Sequence, residues 1–313
     1  DLRTLRLDTP RLTVDADGSG AGTPIQITAR LANLGLLADG LDGPAEARGT
    51  VRLRDDMGRD IAVDLNASGP GGTVAQVSGD IRDHGQSLDL TMNGNAPLAL
   101  ANRFIAPRSA SGMARFDLRI AGAPALSSAS GRITLSDGRV ALPSLSMAFA
   151  NMNGTIDLTG ERANLQISAD GREGGSVLLR GPINLAAPYP SDLSILLNAL
   201  RQSDPDLYTT QVSGMVTVNG PLLGGARIGG QLQLGETEIR VPSSTIASVG
   251  LLPQIRHVGE PSEVTTTRRR AGLIQEEEPA AGPALALDLT ISAPNRIFVR
   301  GRGLDAELGG RIR

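Results

Sequence analysis

The chain has 313 residues, enough for one large domain or two ordinary ones, and its net charge is −3 with the basic residues scattered. This charge pattern excludes the basic footprint of a nucleic-acid-binding protein. Aromatic residues make up only 2% of the chain, so any core must consist of Leu, Ile, Val and Ala. Because aromatic side chains normally dominate a thick core, this composition favours a thin, elongated sheet over a two-layer globule.

Apolar residues alternate with polar ones from the beginning of the chain, which predicts strands with one apolar and one polar face. Leu5 and Leu7 start the pattern, and 16–23 is interpreted as a flexible loop. Strands at 51–53 and 61–65 are predicted to face each other across a hairpin turn at 55–58. The apolar stretch 31–41 has an ambiguous pattern.

Two segments have patterns that allow helices. Residues 97–107 lie between prolines, which is typical of a helix of roughly two turns. Residues 192–200 (DLSILLNAL) alternate like a strand but also fit a helical period, and short apolar runs cannot decide between the two.

A loose repeat follows, in which a glycine precedes a short alternating strand and a second turn. The repeat glycines lie 16 to 33 residues apart and are Gly112, Gly131, Gly154, Gly181, Gly214 and Gly230. Such repetition indicates one supersecondary unit stacked edge to edge, whose members bury their apolar faces together.

The last part of the chain shows the clearest alternation. Leu287, Leu289 and Ile291 lead to a predicted turn at 294–295, after which Ile297 and Val299 continue the pattern. Three arginines and two acids on the opposite face predict a ladder of cross-strand ion pairs that holds the register. These residues are Arg296, Arg300, Arg302, Asp305 and Glu307.

We divide the chain into four segments. Residues 1–108 are N-terminal β-rich repeats, 109–252 are the region of the glycine repeat, 253–284 is a disordered insertion, and 285–313 is a closing strand pair that is truncated at its C-terminus. The insertion contains basic residues at 268–270 that could bind anionic lipid headgroups, although a solvated loop is the commoner outcome. Both ends of the chain are expected to be cuts inside a longer protein.

The sequence offers no catalytic cluster. Residues 301–306 match G-x-G-x-x-A, but the alternation continues through them as a strand, so a bulge or tight crossing is favoured over a dinucleotide site. Two histidines and no cysteine leave no metal-ligand set, and no G-x-S-x-G elbow is present. A carbohydrate-active β-helix would need exposed aromatic platforms. We therefore predict a protein that is not an enzyme and needs no cofactor.

The apolar face itself has two interpretations. Two sheets could pack face to face in an ordinary sandwich, which is the commoner use of such a face. Alternatively, one sheet could curl around an open trough for acyl chains, since each CH₂ kept from water contributes about 0.8 kcal/mol. Periodicity alone leaves both open.

Several segments resemble the TamB family. The segment APNRIFVRGRGLDAELGG (293–310) is similar to the signature of its C-terminal conserved region. So are VSGMVTVNGPL (212–222), PDLYT (205–209), GGQLQL (229–234) and GRITLSDGRVALPSL (131–145). The resemblance covers roughly 109–313 and is weaker before that.

The resemblance implies an all-β fold, an elongated, curled, taco-like sheet with a hydrophobic groove and few short helices, similar to the AsmA-like lipid-transfer proteins. It also implies a periplasmic location, with the full-length protein anchored in the inner membrane of a Gram-negative bacterium and the outer-membrane barrel TamA as partner. The anchor and the segment that contacts the barrel are not visible here.

The expected function is a conduit that shields phospholipid acyl chains between the two membranes. The alternative is a chaperone-like scaffold that assists outer-membrane β-barrel proteins or autotransporters by β-augmentation. The groove lining is predicted to be Ile133, Leu135, Ile156, Leu158, Leu165, Ile167, Val177, Leu179, Ile183, Leu185, Leu193, Ile195, Leu197, Val216, Val218, Leu232, Leu234, Leu287, Leu289, Ile291, Ile297 and Val299.

Overall fold

A computed structural model describes residues 4–18, 23–36, 42–54, 59–204, 206–241, 264 and 286–313. The insertion predicted at 253–284, its basic run at 268–270 and the turn at 55–58 lie outside the described residues, apart from residue 264.

The described residues form a single long, curved β-sheet, as the alternation and the resemblance predict. Its strands are β1 (Thr4–Asp8), β2 (Leu12–Asp17), β3 (Ile25–Leu31), β4 (Ala45–Leu53), β5 (Ile61–Gly69), β6 (Thr73–Arg82), β7 (Ser87–Pro97), β8 (Ser109–Gly122), β9 (Ala129–Leu142), β10 (Met147–Thr159), β11 (Arg162–Gly171), β12 (Ser176–Asn184), β13 (Pro190–Asp204), β14 (Tyr208–Pro221), β15 (Arg227–Leu234), β16 (Thr237–Arg240), β17 (Ala286–Gly301) and β18 (Leu304–Ile312).

The strand order follows the chain. Each strand from β1 to β14 pairs antiparallel with the next. β15 and β16 share one position, because both pair with β14 on one side and with β17 on the other. β17 runs parallel to them, and β18 returns antiparallel. At about 4.8 Å per strand, the sheet is about 80 Å long across its strands.

Apart from residue 264, which is helical, helical structure in the part of the chain described is confined to short connections. The segment between Pro97 and Pro107 forms a 3₁₀ turn, Leu98–Ala101, followed by one α-helical turn, α1 (Asn102–Ile105), which matches the predicted short helix. The ambiguous stretch 31–41 contains a 3₁₀ turn at Leu34–Leu36. The segment 192–200 is a strand within β13, because β12 and β14 supply hydrogen-bonding partners on both sides.

Two local predictions need correction. No turn interrupts β17 at 294–295. β17 pairs with β15 before this point and with β16 after it, and its register on β18 shifts between Ala293 and Ile297. A bulge accommodates the proline there, which has no N–H for the ladder. The loop predicted at 16–23 starts later than expected, since β2 extends to Asp17.

The G-x-G-x-x-A segment forms a tight hairpin. Gly301 ends β17, Leu304 begins β18, and Arg302 and Gly303 between them have φ of 52° and 82°. Two residues with positive φ are the standard two-residue turn between antiparallel strands. The two chain segments therefore meet directly, without the helix that a dinucleotide site requires.

The repeat glycines lie inside strands and let the sheet bend. Gly181 of β12 has φ of 131°, and a Cβ there would overlap the carbonyl oxygen of Asp192 in β13. Gly131 of β9 has φ of 125° and approaches Asp117 of β8 in the same way. Only glycine adopts this backbone and permits this approach, and such glycine kinks introduce curvature into sheets. The other glycines in this arrangement are Gly49, Gly79, Gly214 and Gly230.

Replacing Gly181 with alanine is expected to destabilise the sheet. The new methyl group would meet backbone rather than a movable side chain, and the positive φ adds strain, so Gly181→Ala should lower the free energy of unfolding by about 1–3 kcal/mol in urea titration. Gly310→Ala is the matched control, since Gly310 also lies in a strand but has no atom within 4 Å of its Cβ position. Equal stability of the two variants would contradict the bending role.

Candidate functional site

The strand register brings the predicted groove residues to one face of the sheet. Ile156 of β10 lies opposite Ile133 of β9 and Leu165 of β11. Directly opposed residues point to the same side of a sheet. The same relation continues across β12 to β15, where Leu179 opposes Ile195 and Val216 opposes the backbone of Gly230.

We call this side the inner face. It carries all the predicted residues that lie within strands, and Leu185 alone falls just beyond the end of β12. The residues placed there by register are Ile133, Leu135, Ile156, Leu158, Leu165, Ile167, Val177, Leu179, Ile183, Leu193, Ile195, Leu197, Val216, Val218, Leu232, Leu234, Leu287, Leu289, Ile291, Ile297 and Val299.

The inner face extends beyond the predicted set in both directions. In β7 and β8, Met92 opposes Leu118 and Leu90 opposes Ile120, and the aliphatic row continues through β6 to β1, where Leu7 opposes Val14. Their alternation was visible in the sequence. The sequence did not predict Leu200, because it breaks the alternation of Leu193, Ile195 and Leu197. A bulge at Ala199, with φ of 47°, shifts the register by one residue and places Leu200 on the inner face.

The inner face has no second layer over it in the described part of the chain. Each strand makes its main contacts with its neighbours in the sheet, and no second layer covers either face within the described ranges. Nevertheless, along β8 the apolar positions are half-buried while the polar positions between them are exposed. The described residues therefore form one curved sheet with an uncovered apolar face rather than a sandwich.

Charged side chains lie on the opposite, outer face. Arg132 Nε lies 2.6 Å from an Asp157 carboxylate oxygen, Arg119 and Asp89 are 2.9 Å apart, and Arg54 and Asp80 are 3.0 Å apart. Bonding to Asp157 raises the pKa of the Arg132 guanidinium. Exposed pairs of this kind add little stability. Their main consequence is a polar outer face.

Glu46 shows the same outer-face electrostatics. The Arg48 guanidinium, followed by that of Arg30, holds the pKa of the Glu46 carboxyl below its usual value. Any stability from this pair is present above the ordinary glutamate pKa and is lost as the pH falls through the lowered one.

The ion ladder predicted for the last two strands is present in part. Arg300 lies opposite Asp305, with Nε 3.4 Å from the carboxylate, and it also contacts Glu238 of β16 at 3.2 Å. Glu307 instead accepts a hydrogen bond from the backbone N–H of Arg296 at 3.2 Å. The ladder thus joins three strands, β16, β17 and β18.

A short polar row crosses the inner face near one rim, at the ends of β13, β14 and β16. Thr210 and Thr237 share a buried hydrogen bond of 2.7 Å, and Thr237 donates to the carbonyl oxygen of Gly235. Gln202, opposite Thr210, donates to the carbonyl oxygen of Leu145 at 2.9 Å. All three side chains are less than 10% exposed. Because each has a partner, the row stabilises the rim without interrupting the aliphatic floor.

Other kinds of site receive no support from the described geometry. Across the ranges given above, no three histidine or acidic residues gather where they could hold a metal ion. No helix in the same ranges has the length and apolar character needed to cross a membrane.

Comparison with known proteins identifies one relationship. Residues 165–313 match the family model described as the TamB C-terminal domain. The matched residues run from within β11 to the end of the chain and include β12 to β18. No curated protein and no solved structure matches the chain.

The buried threonine pair makes a stability prediction. Thr237→Val leaves the Thr210 hydroxyl buried without its partner, which should cost about 1–3 kcal/mol in urea unfolding. Adding Thr210→Val removes both hydroxyls and should recover most of that loss, because two apolar groups of the same shape need no hydrogen bond. A double variant no more stable than Thr237→Val would argue against the pair.

Proposed function

Because residues 165–313 make this chain a member of the TamB family, which serves in the translocation and assembly module of the bacterial envelope, we propose that it is a periplasmic conduit for phospholipid. In this proposal, acyl chains lie in the trough and move along it between the inner and outer membranes. The outer-membrane barrel TamA is the expected partner of the full-length protein. The chain acts without a catalytic step.

One observation carries the proposal: the aliphatic inner face is continuous from β1 to β18. Neighbouring strands place apolar residues opposite one another at each step of a path of about 80 Å. At a step without apolar contact the acyl chain would be exposed to water, which costs about 0.8 kcal/mol for each CH₂. Continuity is therefore the property that movement along the trough requires.

The distribution of charge supports the same function. The ion pairs described above lie on the outer face, where they keep the sheet soluble in an aqueous compartment. The inner face offers aliphatic side chains from strand to strand, so a sliding acyl chain meets no strong binding point. A uniform path favours movement over storage.

Charge placed on the trough floor tests the conduit. Leu158→Asp and Leu234→Asp should slow transfer of a fluorescent phospholipid between vesicles at least about tenfold, because a carboxylate in an apolar path costs about 2.5–3.5 kcal/mol. Thr159→Asp and Gln233→Asp are matched controls, since they add the same charge one residue away on the exposed outer side. Circular dichroism checks that all four variants keep the sheet.

The pairs of variants make the outcome clear. The conduit predicts slow transfer for the two inner-face variants and wild-type transfer for the two controls. Wild-type rates in folded Leu158→Asp and Leu234→Asp variants would rule the conduit out.

A second candidate function is assistance to outer-membrane β-proteins by β-augmentation. An edge strand can pair its outer backbone groups with an incoming strand, and within the described residues β18 pairs only with β17. Ile312 in β18 is 73% exposed, so a partner strand could also cover apolar side chains there.

Photo-crosslinking separates the two functions. A photoreactive residue at Ile195, on the trough floor, should capture phospholipid, whereas one at Arg311, on the edge strand β18, should capture protein if augmentation operates. Protein adducts at Arg311 without lipid adducts at Ile195 would favour the scaffold over the conduit.

A further inference from the structure

A cavity opens at one rim of the trough, between the ends of β10 and β13. The hairpin of β11 and β12 is short: β12 begins at Ser176, opposite Asn198, whereas β13 continues to Asp204. This leaves a space of about 490 Å³, within the range of small-molecule sites. The hydrogen bond from Gln202 to the carbonyl oxygen of Leu145 borders this space, because it joins β13 to the β9–β10 turn.

One wall of this cavity is apolar and belongs to the inner face. Phe149 of β10 lies opposite Gly171 of β11, and Leu200 of β13 packs onto the same glycine and is only 3% exposed. Both residues line the cavity. An acyl chain in this space would therefore join the aliphatic floor directly.

Two arginines line the same cavity. Arg172 lies in the turn between β11 and β12, and the Arg201 side chain passes beside Gly174 of that turn. The acid of the turn, Glu173, accepts a hydrogen bond of 2.6 Å from Ser203 and forms no salt bridge with either arginine. Among the described contacts, no carboxylate pairs with Arg172 or Arg201, in contrast to the paired arginines of the outer face.

We propose that this cavity is a lateral port that binds the phosphate of a glycerophospholipid. Arg172 and Arg201 hold the phosphate oxygens at the rim, while an acyl chain passes Phe149 and Leu200 onto the trough floor. Guanidinium groups suit this task because their paired N–H donors match phosphate oxygens. The port rests on the proposed conduit. It is the place where a phospholipid enters or leaves the trough, and the lipid phosphate is the group that it binds.

Calorimetric binding with three probes tests the port. Dihexanoyl phosphatidylglycerol carries both phosphate and acyl chains, dihexanoylglycerol lacks the phosphate, and inorganic phosphate lacks the chains. The full chain should bind the first most tightly. Arg172→Gln/Arg201→Gln should weaken that binding about tenfold or more, because two charge-assisted contacts are lost. Arg52→Gln/Arg180→Gln removes the same charge from exposed outer-face positions and should leave binding unchanged.

The outcomes separate the port from the conduit. Unchanged phosphatidylglycerol binding by Arg172→Gln/Arg201→Gln, or equal affinity for dihexanoylglycerol, overturns the port and leaves the conduit standing. Inorganic phosphate bound as tightly as the phospholipid would mean an anion site without a lipid and would also overturn the port. The conduit would fail in a different experiment: Leu158→Asp and Leu234→Asp would then transfer phospholipid between vesicles at the wild-type rate.

Discussion

The structure depends on one constraint: an aliphatic sheet face must be kept from water without a second layer to cover it. In a sandwich or an α/β fold another element would bury that face. Within the described residues no other element covers this face, and the sheet itself is curved. Along β8 the inner-face side chains are half-buried and the outer-face side chains are exposed. The described strands therefore present a continuous apolar face.

Glycine makes this curvature possible. At Gly131 and Gly181 the neighbouring backbone approaches so closely that no side chain fits, and the positive φ excludes other residues. Large aliphatic residues lie opposite these glycines on the adjacent strands, as Leu118 and Leu158 do beside Gly131. The glycine repeat that marked supersecondary units in the sequence thus marks places where strands bend. Stacked units of this kind extend a continuous face rather than enclosing a core.

The rim has a different chemistry from the floor. The polar row at Thr210, Thr237 and Gln202 is fully hydrogen-bonded, and it ties β13, β14, β16 and the β9–β10 turn together where the strands end. Beside it, the short β11–β12 hairpin leaves the space that Arg172 and Arg201 border. A trough with an aliphatic floor and a local cationic rim would accept an amphiphile in one orientation, with its chain inward and its phosphate outward.

The sequence by itself determined the all-β class and the residues of the inner face, because a period of two assigns each side chain to one side of a strand whatever the strand pairs with. It also favoured a structural role over a dinucleotide site at 301–306. It could not place the bulges: Ala199 returns Leu200 to the inner face, and 294–295 continue β17 instead of turning, because both depend on which strands lie alongside. Only the tertiary structure decided between a single uncovered sheet and a sandwich and brought Arg172 and Arg201 to one cavity. Curvature and hairpin length arise from pairing between strands, which alternation within one strand does not encode.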